Sequence, residues 1–312
     1  MFRKKAGKAL VMSLAFMMLV SAAACGNKVK TEKADGTSDF TGEFLVSAEE
    51  AKEMIEQGNV LVIDGRDPNQ EKGGTVEGAV NTDWNSLSTC AEGKAGDENW
   101  GLVPNAEEFE QKLQALGITK EQKILVLGQP EDGWGEDGRV LWMLREAGIH
   151  NIKIVDGGVS ALQDIGVELK KNAWAQPEKS DMVIDGLDKS HDITTEELQA
   201  NYENYKIVDV RVPKEYEGAT LYGEAQGGRL PGAVNIPYTE LFQEDGTLKS
   251  NEEITAMYEE KGIKKDDQVV TYCTGGIRSA YAQLVLEMCG YENTYNYCQS
   301  FWRWAVAGEV EK

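Results

Sequence analysis

An internal repeat constrains this chain more than any other feature. Val60-Leu61-Val62-Ile63-Asp64-Gly65-Arg66 returns as Tyr205-Lys206-Ile207-Val208-Asp209-Val210-Arg211. Gly78-Ala79-Val80-Asn81 returns as Gly232-Ala233-Val234-Asn235, and Ile124-Leu125-Val126-Leu127 as Val269-Val270-Thr271-Tyr272. The first and last pairs lie 145 positions apart and the middle pair 154, so the second copy carries an insertion before its Gly-Ala-Val-Asn. An offset that long is a whole domain, not a solenoid unit. The 312 residues accommodate two domains.

Both copies follow one local grammar. Each opens on an amphipathic helix, Ser47 to Gln57 and Thr194 to Asn201, with a capping-box start at Ser47-x-x-Glu50 and Thr194-x-x-Glu197. A short apolar run ending in Asp-x-Arg follows, then a glycine-rich loop, a second apolar run, a helix closed by Gly148 or Gly290, and a third apolar run. Short apolar runs alternating with helices predict an α/β fold: two tandem domains, each a parallel sheet flanked by helices. The boundaries fall at 45–175 and 192–310, with a polar linker at 176–191 containing Pro177.

Ahead of them stands a basic start (Arg3, Lys4, Lys5, Lys8) and an uncharged, mostly apolar run from Ala9 to Ala24. Sixteen residues are short for a membrane span, which needs about 20, and suit a secretory signal. The run ends Ser21-Ala22-Ala23-Ala24-Cys25, which resembles a bacterial lipoprotein signal and implies lipidation of Cys25 after loss of residues 1–24. Residues 25–44 read as a flexible tether, and the expected location is the outer side of a cell membrane. The formal net charge is −21, and −25 without the leader. That balance argues against a nucleic-acid surface. Two histidines and no Cys-x-x-Cys exclude the common zinc and thioredoxin-like sites.

The chemistry concentrates in Tyr272-Cys273-Thr274-Gly275-Gly276-Ile277-Arg278-Ser279, which follows an apolar strand and opens a helix. Parallel sheets bind ligands at the carboxyl ends of their strands. A helix start offers unpaired N–H groups and partial positive charge. Gly275 and Gly276 let the loop wrap with its amides inward. Such surroundings, with Arg278 added, lower a thiol pKa from its usual 8.5 or so and make Cys273 a nucleophilic thiolate.

Asp209-x-Arg211, Gly232-Ala233-Val234-Asn235-Ile236-Pro237 and Cys273-Thr-Gly-Gly-Ile-Arg278 together resemble a rhodanese domain, and two in one chain resemble the thiosulfate and 3-mercaptopyruvate sulfurtransferases. The resemblance spans about 45–308. It implies a persulfide on Cys273, the amides of Thr274, Gly275, Gly276, Ile277 and Ser279 around the sulfur, charge support from Arg278, and Asp209 and Arg211 bracing the loop. It implies small sulfur-containing anions and thiol acceptors as partners, and no metal or organic cofactor. Phosphatases and arsenate reductases on this fold resemble Cys-x5-Arg; the Cys-x4-Arg here makes a smaller loop suited to one sulfur atom. Glu215 stands where two-domain thiosulfate enzymes carry an arginine, and Thr274 and Gly275 replace cations after the cysteine. Fewer cations hold a dianion less tightly. The alternative from another class is a cell-surface protein that binds or senses persulfide without turnover.

In the first copy Gly128 takes the place of Cys273, and the loop to Arg139 spans 11 positions against 5 from Cys273 to Arg278. Without a thiol this domain is expected to be a structural partner; its acids Glu131, Asp132, Glu136 and Asp137 are the alternative, a cation or partner site. Cys298 is a candidate resolving thiol, or a spectator. Cys289 reads as core, and Cys90 as a loop thiol open to disulfide pairing. Trp302 and Trp304 read as domain packing.

Overall fold

The computed structural model describes residues 39–67, 74–129 and 133–312. The leader, Cys25, Glu131 and Asp132 lie outside them. In the first lobe the order is β1 (Leu45–Val46), α1 (Ala48–Gln57), β2 (Val60–Asp64), β3 (Val80–Asn81), α2 (Trp84–Leu87), α3 (Ala106–Ala115), β4 (Lys123–Leu127), α4 (Glu136–Glu146), β5 (Ile152–Val155) and α5 (Gly158–Asp164). The second lobe follows with α6 (Thr195–Ala200), β6 (Tyr205–Asp209), α7 (Pro213–Tyr216), β7 (Val234–Asn235), α8 (Asn251–Glu260), β8 (Gln268–Tyr272), α9 (Ile277–Met288), β9 (Thr294–Asn296) and α10 (Ser300–Ala307).

The sheets run β1-β5-β4-β2-β3 and β7-β6-β8-β9, all parallel. The repeat is exact in register: Val60 pairs Lys123 in the first sheet, and Tyr205 pairs Gln268 in the second. The strands are apolar because helices cover both faces and leave few positions for solvent. Ser47 and Thr194 cap α1 and α6 with complete capping boxes, as their spacing predicts.

α4 and α9 form the seam between the lobes. Every residue of α9 from Ile277 to Leu286 is buried, as a helix between two sheets must be. Close approach explains Gly138: a methyl group there would fall 2.6 Å from the Tyr281 ring. Arg145 and Glu287 add a bidentate bridge across the seam, both contacts 2.9 Å. One apolar core runs through both lobes, from Ile63 and Val140 to Val208 and Val285.

Two expectations change. The tether does not extend to residue 44. Phe40 and Phe44 are buried, Thr41 bonds Asn251, and the Phe44 amide lies 3.4 Å from the Met288 sulfur. Two phenylalanines in a polar stretch find cover where the lobes meet, with Arg145 of the first lobe over the Phe44 ring and Met288 of the second beside its amide, which no local pattern reveals. The 176–191 segment is likewise more than a spacer. Met182 and Ile184 are buried, and Ser180 and Ile184 donate their amides to Gln114 and Glu110.

Candidate active site

Cys273 follows the last residue of β8 and opens the four-residue loop to α9, residues 273–276. Gly276 takes φ +83°, and a Cβ on it would lie 2.1 Å from the Cys298 carbonyl oxygen. Only glycine meets both conditions. Its N–H donates to the Cys273 sulfur at 3.1 Å, and the Ser279 hydroxyl stands 3.8 Å away. Burial by itself would push this thiol up. The Arg278 guanidinium and the amides of Ser279 and Gly275 outweigh it and hold the thiol below its usual range.

The loop is clamped from three sides. Asp209 sits beside Tyr272 in the sheet register and accepts that phenol's proton at 2.5 Å. Arg211 grips Asp209 and donates to the Gly228 carbonyl at 2.8 Å. Asn296 on β9 accepts from the Ser279 hydroxyl at 2.7 Å. The Ser300 hydroxyl accepts the Cys273 amide at 3.1 Å, and the Phe301 and Trp302 amides donate to the Cys273 and Thr274 carbonyls. Ser300 does this at φ +51°, a conformation that costs a non-glycine residue about 1–3 kcal/mol. The matching position in the first copy is Gly158, at φ +58°.

Glu215 is the residue that sequence reasoning noted without assigning a task. It is fully buried at the start of α7 and makes a bidentate bridge to Arg278, at 2.8 and 2.9 Å. The Thr274 hydroxyl donates to it at 2.7 Å. Burial opposes its charge, but these hydrogen bonds, Arg278 first among them, keep its carboxyl below the usual range. The guanidinium therefore arrives at the thiol already paired.

The cavity in front of Cys273 is about 20 Å³, room for one water-sized group. Trp134, Tyr222 and Trp302 close it. Trp302 also stacks edge-on against Trp100 of the first lobe at 5.0 Å, so it serves both the packing expected of it and the site. Trp134 and Tyr222 are residues the sequence reading missed. A cleft of about 650 Å³ between Tyr205, Lys206, Pro231, Lys261 and Trp304 lies at the opposite, amino end of β6 and has no thiol in its lining.

The first lobe corrects one equivalence. Gly135 and Gly276 both precede their helices at positive φ, so Asp137, not Arg139, stands at the place of Arg278. Arg139 turns into the first lobe, donates to the Gly101 carbonyl and lies 4.6 Å over Trp142. The Asp137 carboxyl fills the space a side chain on Gly128 would need, with its carbon 2.3 Å from such a Cβ. Burial pushes Asp137 up to about 7. Glu136 and Asp137 are both buried in the first turn of α4, and among the described residues no group of three ligating side chains forms a metal site.

Cys90, Cys273, Cys289 and Cys298 are all buried free thiols. Cys298 lies against the loop with its backbone, while the charges around its thiol are Asp192, Arg139, Lys189 and Glu146 of the lobe seam. Burial drives that thiol far up, and of the two readings, candidate resolving thiol or spectator, this placement lends the first no support.

A thiol whose pKa is held down by amides at a helix start, on the carboxyl edge of a parallel sheet and over a one-atom cavity, defines a sulfur-handling loop. The rhodanese-like domain model matches residues 47–164 and again 194–307. The sulfur carrier protein TtuD of Thermus thermophilus is 28% identical over 280 residues, covering 84% of this chain and 93% of its own. The 3-mercaptopyruvate sulfurtransferase of Mus musculus is 27% identical over 214 residues, 67% and 71% of the two chains. The crystal structure of SseA from Escherichia coli, a 3-mercaptopyruvate sulfotransferase, superposes with a TM-score of 0.68 at 26% identity, covering 82% of this chain and 98% of that one. The chain belongs to the rhodanese family, as a tandem sulfurtransferase of the rhodanese type.

Proposed function

We propose that this sulfurtransferase moves sulfur through a persulfide on Cys273, from a donor such as thiosulfate or 3-mercaptopyruvate to a thiophilic acceptor. The observation that carries the reading is the depressed Cys273 thiol beside a cavity sized for one more sulfur. With thiosulfate, the thiolate attacks the outer sulfur, the donor S–S bond breaks, and sulfite leaves with the electron pair. The terminal sulfur then carries the negative charge at the mouth of the amide ring formed by Gly275, Gly276 and Ser279. An acceptor such as cyanide attacks it, the new S–S bond breaks, and the electron pair returns to Cys273. The first lobe, with Gly128 in the place of a nucleophile and the Asp137 carboxyl filling the space beside it, supports the second and closes its mouth with Trp134. A tetrahedral oxyanion has four oxygens to place, and the cavity favours sulfur over phosphate chemistry.

Intact mass tests the reading. One added sulfur on treatment with a sulfane donor, mapped to Cys273 and removed by cyanide as thiocyanate, is the expected result. A protein that turns over sulfur with Cys273 unmodified would end it.

The leader reading belongs to the same proposal: Cys25 becomes the lipidated first residue, and the enzyme works outside the cytoplasm on a membrane. The Ser21-Ala22-Ala23-Ala24-Cys25 run supports it. Cys25→Ala is expected to move the protein from the membrane to the soluble fraction of its host cells; equal membrane recovery of both forms refutes the anchor.

A further inference from the structure

Two turns over the active-site cavity share one local design, and one comes from each lobe. Trp134-Gly135-Glu136 leads into α4, with Glu136 its first residue, and Tyr222-Gly223-Glu224 belongs to the insertion between α7 and β7. Both glycines take positive φ, +73° and +82°. In both, the carboxylate of the glutamate accepts the N–H of the aromatic residue at 2.9 Å. The two rings meet edge-to-face with centroids 5.3 Å apart, directly over the cavity that holds the Cys273 sulfur. They are 39% and 38% exposed, so each presents ring surface to solvent. Trp302 completes the rim and donates its indole N–H to the Tyr222 carbonyl at 3.1 Å, holding that turn in place.

The charges beneath the rings set what this rim can attract. Arg278 is cancelled by Glu215, and Arg211 by Asp209. Glu136 and Glu224 stand immediately behind the rings, and Glu224 Oε1 has no hydrogen-bond partner among the described residues. An arriving molecule thus meets three aromatic side chains, with the two carboxylates buried behind them, and no unpaired cation of the cysteine loop. Aromatic faces carry negative potential and draw cations, by a factor of about 5–30 at partly desolvated sites. Anions find the amides of the cysteine loop at the cavity floor, behind the aromatic rim, but no unpaired cation of that loop.

We propose that Trp134 and Tyr222 form a gate shared between the lobes that selects the sulfur acceptor by charge, favouring thiols that carry an ammonium group over anionic thiols. This rests on the persulfide reading of Cys273. The acceptor sulfur attacks the terminal sulfur of the persulfide, the bond to Cys273 breaks, and its electron pair returns to the Cys273 thiolate. The acceptor, which attacks as its thiolate after giving its proton to solvent, leaves as a persulfide anion. The gate must part for this, because the closed cavity holds no more than the transferred atom.

The full-length protein, loaded on Cys273 with polysulfide, is discharged with cysteamine, 2-mercaptoethanol or 3-mercaptopropionate. Rates are divided by thiolate concentration and by each thiol's rate with a free small-molecule persulfide. Cysteamine is expected fastest and 3-mercaptopropionate slowest, with about tenfold or more between them. Trp134→Leu and Tyr222→Leu keep apolar bulk without the ring face, and each should shrink that spread at least threefold; Tyr222→Phe should keep it. Equal normalised rates, or a faster anion, overturn the gate while leaving the persulfide reading intact. Failure of Cys273 to load overturns both. A second measurement needs no sulfur: tetramethylammonium chloride should slow iodoacetamide alkylation of Cys273 severalfold in the unmodified protein, and sodium sulfate at equal ionic strength should not. Equal effects of the two salts refute the cation preference.

Discussion

Cys273→Ser is expected to lower sulfur transfer by at least three orders of magnitude, about what removal of a covalent nucleophile costs. A serine hydroxyl is not ionised at neutral pH, and among the described residues no second thiol stands ready to replace it. Cys298 is held protonated at the lobe seam, and burial pushes Cys289 up to about 11. The fold should survive, because a hydroxyl accepts the Gly276 N–H that the sulfur accepts now. Thiocyanate formation and sulfur loading by mass measure the loss, and circular dichroism the fold. Retained turnover in a folded Cys273→Ser protein would show that another residue carries the sulfur.

The second large effect concerns Glu215→Gln. It leaves the Arg278 guanidinium buried with a neutral partner, and breaking such a pair costs about 3–5 kcal/mol of stability. The site should respond in a defined direction. Arg278 is the leading influence that holds the Cys273 thiol down against burial, and in the native protein Glu215 offsets its charge. Without that offset the thiolate is stabilised further. The pH midpoint of iodoacetamide alkylation at Cys273 should move lower, with reactivity persisting as pH falls. Anionic donors should gain from the exposed charge, so the KM for thiosulfate should drop while stability falls. A midpoint that stays or rises would mean that Glu215 does not modulate the charge felt at the sulfur. Alkylation and thermal melting of one protein sample read both effects.

Much of this arrangement was legible in the chain itself. The repeat and its apolar runs predict two parallel sheets, because period and run length are local properties of residues facing a common core. The Cys273–Arg278 loop was legible for the same reason: nucleophile, glycines and arginine are contiguous, and a strand before them and a helix after them set the geometry. Ser300 left a faint signal, since its repeat partner Gly158 marks a backbone position with positive φ.

The electrostatic identity of the site was decided elsewhere. Arg278 suggests a cationic pocket until Glu215, 63 residues earlier, is seen bonded to it through both carboxylate oxygens. Trp134 closes a cavity whose nucleophile is in the other lobe, and Asp137 occupies a space that exists only because Gly128 lacks a side chain. Phe40 and Phe44 look like tether residues until the two lobes bury them. The chain by itself determined the two domains, the loop and its nucleophile, since these follow from neighbours in sequence. Only the tertiary structure decided the net charge at the sulfur and the residues that guard it, because pairing and exclusion of solvent depend on side chains that meet across the lobe seam.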